Sequence, residues 1–72
     1  MMSMKYSVVI EKSSDGYGAY VPDLPGCVAA GDTIEEVKSL IQSAMVMHLR
    51  TMRDDGDVIP EPTTIVDYID VA

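Results

Sequence analysis

The sequence has no tryptophan and no phenylalanine, one cysteine, one histidine, and five lysines and arginines in 72 residues. Each shortage excludes something. One cysteine cannot form an internal disulfide. One cysteine and one histidine allow at most one Cys–His pair and no Cys/His metal cluster. The cations (Lys5, Lys12, Lys38, Arg50, Arg53) are single and scattered. Nucleic-acid affinity rests on Lys and Arg displacing phosphate counterions, so direct DNA or RNA binding is disfavoured. No apolar run approaches the roughly 20 residues that span a bilayer. No basic stretch followed by an apolar run marks a secretory leader, so the cytoplasm is the expected compartment.

Acid is what the chain has in quantity. Twelve Asp and Glu give a net charge of -7. Solubility alone accounts for such a surface. Its natural complement, if it has one, is a basic protein, because opposed fields speed encounter and reject wrong partners. A chain of this length is expected to form one domain, residues 1–72, and to bury only about 60% of its unfolded surface. Association enlarges so thin a core, and a homo-oligomer is expected.

The chain is organised around Tyr20 to Thr33, YVPDLPGCVAAGDT. Leu24-Pro25-Gly26-Cys27 suits a type II turn: Pro25 presets φ at the second position, and Gly26 accepts the positive φ of the third. Asp23, just before it, is placed to accept hydrogen bonds from turn amides. After a loose start at Met1 to Met4, Lys5–Lys12 reads as a strand with Tyr6, Val8 and Ile10 on its core face. Ser13-Ser14-Asp15-Gly16 is turn chemistry, with Gly16 available for positive φ. Tyr17–Val21 returns as a second strand, Tyr17, Ala19 and Val21 sharing one face. Cys27–Ala30 is a short third strand that Gly31-Asp32 breaks.

Thr33 begins a helix with a capping box: its hydroxyl accepts from the Glu36 amide, and Glu36 reaches back to the Thr33 amide. The helix is expected from Ile34 to Asp54 or Asp55. Ile34, Val37, Ile41, Ala44, Met45, His48 and Met52 form its apolar face, with Val46 and Leu49 off that stripe. Gly56 is placed to stop it. Pro60 and Pro62 force an extended path, and Ile65–Val71 has the composition of a last strand. The expected class is α+β, ordered β-β-β-α-β: a three-stranded antiparallel meander with a fourth strand beside the first, sheet order 3-2-1-4, and one helix on one face.

Asp15-Gly16, Pro22-Asp23-Leu24-Pro25-Gly26-Cys27, Gly31-Asp32-Thr33 with Glu35-Glu36, Gly56 and Pro60-Glu61-Pro62, in this order and spacing, resemble the HicB-like antitoxin family from about Met4 to Pro62. The resemblance implies a partly degraded ribonuclease H fold and assembly as dimers or tetramers. It also implies a partner, a small basic HicA-like ribonuclease toxin whose active site the domain covers. Many members carry a C-terminal DNA-binding segment. Here ten residues follow Pro62 and read as a strand, so promoter binding is not carried over.

Other chemistries fare worse. A Cys27–His48 nucleophile would need both side chains within hydrogen-bond reach and a third group to orient the imidazole. Cys27 suits a small packing residue and His48 lies on the apolar helix face. Two-metal nuclease chemistry needs carboxylates converging on one site. Glu11, Asp23, Glu35, Glu36, Asp67 and Asp70 do not converge on this map. Asp54-Asp55-Gly56-Asp57 fits neither register of a calcium loop. No metal, cofactor or catalytic set is therefore expected. Tyr17, Tyr20, Asp23 and Leu24 are the candidate partner-binding residues, with tyrosines that merely cover the sheet edge as the competing reading. Pro22, Pro25, Gly26, Cys27, Gly31, Thr33, Glu36 and Gly56 are assigned to architecture. The expected function is an antitoxin-like module that inhibits a ribonuclease. An oligomeric adaptor or scaffold is the alternative, and a small hydrolase or nuclease ranks last.

Overall fold

The computed structural model describes residues 4–72, so of the expected lead-in only Met4 lies within it. Three strands, β1 (Val9–Ser13), β2 (Gly16–Tyr20) and β3 (Val28–Gly31), precede one helix, α1 (Ile34–Asp54). The sheet is an antiparallel meander in the order β1-β2-β3. Ile10, Ala19 and Ala29 are opposite one another across it, as are Val9, Tyr20 and Val28. This is the α+β class the sequence implies. β1 starts later than expected for a plain reason. Its partner ends at Tyr20, opposite Val9, and the chain then turns away, so residues 5–8 have no β2 neighbour. Tyr6 and Val8 still pack on the core, with Ile10 and Tyr17. Gly16 does not use positive φ. Its need is space, since a Cβ there would come within 2.5 Å of the Gly31 carbonyl oxygen.

Between β2 and β3 the chain makes two successive turns. The Leu24 amide donates to the Val21 carbonyl at 3.0 Å, and the Cys27 amide to the Leu24 carbonyl at 3.1 Å. Gly26 has φ 85°, the third-position geometry of a type II turn. The Val21 amide then closes the loop onto the Cys27 carbonyl at 3.2 Å. This geometry turns Val21, Leu24 and Cys27 inwards, where with Ala19, Val37 and Ile41 they form the buried core. Leu24 and Val37 are its largest fully buried side chains.

The helix begins at Thr33, whose hydroxyl accepts from the Glu36 amide at 3.1 Å. The reciprocal half of the box is shifted by one residue: Glu36 Oε1 accepts from the Asp32 amide at 3.1 Å, not from Thr33. Two bonds close the other end, Gly56 N–H to Arg53 O at 3.1 Å and Asp57 N–H to Met52 O at 2.8 Å, with Gly56 at φ 75°. That is a Schellman stop. Val37 and Ile41 are the buried helix residues. Leu49 packs on the core although the stripe omitted it, and Ile34 is exposed although the stripe included it. Ile34 sits in the first turn, past the end of β3 at Gly31.

The fourth strand does not form. Among the described residues the sheet has three strands, and 57–72 run without regular structure. Pro60 and Pro62 have no amide to donate, and the Thr63 and Thr64 amides are bonded to Asp23. The tail is therefore held at the loop and not laid along β1, and from Ile65 onward it is exposed.

Leu24→Ala should lower stability by about 2–5 kcal/mol, the range for emptying a buried leucine site. Thr33→Ala should cost about 1 kcal/mol through the lost cap. Urea unfolding followed by circular dichroism measures both, and equal effects would contradict a core centred on Leu24.

Candidate functional site

The helix covers the sheet face that carries Ala19. Residues alternate along a strand, so Tyr20 projects from the other face. Val9 and Val28 flank it in register on that face. Tyr20 is 41% exposed and Val28 64%. Of the four residues expected to meet a partner, Tyr20 is the one the structure leaves open on a broad surface. Tyr17 is half-buried and packs on the core. Leu24, expected at the exposed corner, is fully buried. The two turns put Asp23 outside and Leu24 inside, which the turn type alone does not reveal.

Asp23 is the acceptor for the tail. Its Oδ2 takes the amides of Thr63 at 3.1 Å and Thr64 at 3.0 Å. Its Oδ1 takes the Thr64 hydroxyl at 2.8 Å and the Thr63 hydroxyl at 3.3 Å. The Thr64 amide, then the Thr64 hydroxyl, hold the carboxyl below the usual carboxylate range, and Thr63 adds to the effect. On the other side of the tail, the Ser7 hydroxyl donates to the Thr64 carbonyl at 2.9 Å and the Tyr6 hydroxyl donates to the Pro60 carbonyl. Burial, then the carboxylates of Glu61 and Asp23, push the Tyr6 phenol above its ordinary value, so it remains a donor. Thr63 and Thr64 are the partners of Asp23 that sequence reasoning missed. The signal available was a hydroxyl pair directly after the extended Pro60-Glu61-Pro62.

Two depressions flank the helix. A polar cleft of about 290 Å³ is lined by Ser13, Asp15, Tyr17, Asp32 and Glu36. An apolar groove of about 400 Å³ lies between Cys27 and Val28 on one side and Ala44, Met47, His48 and Met52 on the other. Cys27 and His48 thus reach the same groove, but the thiol is buried and burial pushes its pKa up. That is the reverse of the activation a nucleophilic cysteine needs. Among the described residues no group of three or more His, Cys, Asp or Glu is arranged to hold a metal ion. No helix among them is long and apolar enough to cross a membrane. The site offers surface and shape: an apolar face centred on Tyr20, and on the helix side of the sheet an acidic cleft at the hairpin end and a groove along the helix.

Comparison with known proteins places this chain in a family. Residues 6–71 match the model of the HicB-like antitoxin of bacterial toxin–antitoxin systems. The chain belongs to that family. It is 41% identical over 66 residues to a 14.9 kDa protein encoded in the rep–hol intergenic region of Haemophilus phage HP1, covering 92% of this chain and 50% of that one. It is 34% identical over 62 residues to the antitoxin HicB 2 of Photorhabdus laumondii, covering 86% and 45%. The chain thus spans about half the length of both relatives. Among solved structures it is similar to a chain of the HicA3 and HicB3 toxin–antitoxin complex, with TM-score 0.70 and 28% identity over 83% of this chain and 70% of that one.

The Asp23 clamp should respond to acid. Its folded pKa is depressed, so its contribution is complete above the unfolded carboxylate value of about 3.9 and disappears as pH falls through the folded value. The Thr63 and Thr64 amide resonances should move and lose exchange protection over that acidic range. In Asp23→Ala they should be unprotected at every pH. Protection that survives Asp23→Ala would contradict the clamp.

Proposed function

We propose that the chain acts as an antitoxin on a small basic HicA-like ribonuclease, binding it and covering its active site. One observation carries the reading: the likeness, in sequence as well as fold, to a chain of a HicA3–HicB3 toxin–antitoxin complex. The chemistry of the surface supports it. A net charge of -7 complements a basic enzyme. Asp15, Asp32 and Glu36 around the polar cleft offer carboxylates to its lysines and arginines. Cys27 is buried and its thiol is pushed up in pKa, so it is not an activated nucleophile. Inhibition then needs only occlusion, with an anchor near the centre of the contact and charges around it.

Tyr20, flanked by Val9, is the proposed anchor. It is amphipathic, stiff and already held by its strand neighbours, so its burial against a partner orders little that is free. Leu24 from within and Asp23 from the outer side fix the corner from which Tyr20 projects.

With a HicA-like toxin encoded beside the gene, the two proteins should co-purify and the toxin's RNA cleavage should stop at equimolar antitoxin. Tyr20→Ala should weaken the complex by about 30-fold or more, the size of a hot-spot truncation. Association should slow as salt is raised. Full toxin activity in the presence of the folded protein would refute the reading.

A further inference from the structure

We infer that Ile65–Val71 is the docking arm for the basic partner: an acidic, apolar segment, rooted beside Tyr20, that lies down as an extended strand on a sheet edge of that protein. The inference rests on the proposed function and adds to it where the partner's cations are met.

The charge of the chain is concentrated at one end. Residues 54–72 hold six of the twelve carboxylates (Asp54, Asp55, Asp57, Glu61, Asp67, Asp70) and none of the five cations, a net charge of -6. Residues 1–53 hold the other six carboxylates and all five cations, a net charge of -1. The field that attracts a basic protein therefore comes almost wholly from the tail. A second copy offers no complement to it, since its body is close to neutral and its own tail repels. Nucleic acid and anionic membrane are repelled likewise.

The arm has the composition of a buried strand and is not buried. Ile65, Val66, Tyr68, Ile69 and Val71 are all exposed, Tyr68 at 92% and Ile69 at 80%. β-branched and aromatic residues in this density suit a strand. Among the described residues the arm belongs to no sheet, so it is free to join a partner's ladder. Alternation puts Ile65, Asp67, Ile69 and Val71 on one side and Val66, Tyr68 and Asp70 on the other. Each side thus carries apolar residues and one carboxylate. The partner that fits has an open strand flanked by apolar surface, with a lysine or arginine on either side.

The root of the arm is fixed where the partner's contact begins. Four bonds tie Thr63 and Thr64 to Asp23, which follows Tyr20 closely in the loop leading into β3. The Thr64 carbonyl accepts from Ser7, which lies on the Tyr20 side of the sheet because its neighbours Tyr6 and Val8 pack on the core. The arm therefore continues the surface of Val9, Tyr20 and Val28, and one partner spans both. With the root already held, binding orders only the arm itself.

The test uses the full chain and a HicA-like toxin encoded beside the gene. Amide exchange at Ile65–Val71 should be fast in the free protein at every concentration and slow in the complex. Tyr68→Ala should raise the dissociation constant of the complex at least about 10-fold. Asp67→Asn combined with Asp70→Asn should slow association about 3–10-fold at low salt and little at high salt. The same charge removed from the body, by Glu11→Gln with Glu35→Gln, should slow it much less. All five side chains are exposed, and Asp67→Asn keeps the oxygen that accepts from the Tyr68 amide, so the circular dichroism of each variant should match the parent. Binding and inhibition unchanged by Tyr68→Ala and by the arm's charge pair would overturn the inference and leave the proposed function standing. So would equal slowing by the two charge pairs. Arm amides that gain protection with concentration in the free protein would give the arm to a second copy and overturn it as well. A parent chain that neither binds nor inhibits the toxin would overturn both.

Discussion

The bond from the Val21 amide to the Cys27 carbonyl is the constraint on which the rest of the structure depends. It closes a seven-residue loop in which two turns point Val21, Leu24 and Cys27 to the same side. Those three supply half of the buried core, and Val37 and Ile41 of the helix close over them. Full burial of one such side chain is worth about 1.5–3 kcal/mol. A chain this short has few others to bury. A connection between two strands thereby does the work that a fourth strand or a second helix does in larger α+β domains.

The outer side of the same loop sets the path of the tail. Asp23 faces away from the core and accepts four bonds from Thr63 and Thr64. The loop thus positions the helix from its inner side and the tail from its outer side. Beyond the clamp lies an apolar segment with no partner in its own copy, and away from the helix the sheet presents an apolar row centred on Tyr20.

Legibility in the sequence followed range. The type II turn at Leu24–Cys27, the Thr33 cap and the Gly56 stop are encoded by residues within four positions of one another, and the structure has all three. The helix bounds follow from those caps. The inward position of Leu24 was not legible, because turn chemistry fixes backbone angles and not the side a loop faces. The clamp of Asp23 on Thr63 spans 40 residues and has no local pattern. The last strand was misplaced for a related reason. Ile65–Val71 has strand composition, but composition names a preference and not a neighbour. The proposed binding surface is half legible: the exposure of Tyr20 follows from its residue type and strand phase, its neighbours Val9 and Val28 only from the register.

The claim that the Val21–Cys27 closure holds the core together is tested most directly by native-state amide hydrogen exchange at Val21, Leu24 and Cys27. If the loop is the hub, these amides exchange only through global unfolding, and their free energies of opening equal that of the Val37 and Ile41 amides. Opening of the three loop amides at markedly lower free energy than the helix would contradict the account and show the loop to be a connection laid over a core that stands without it.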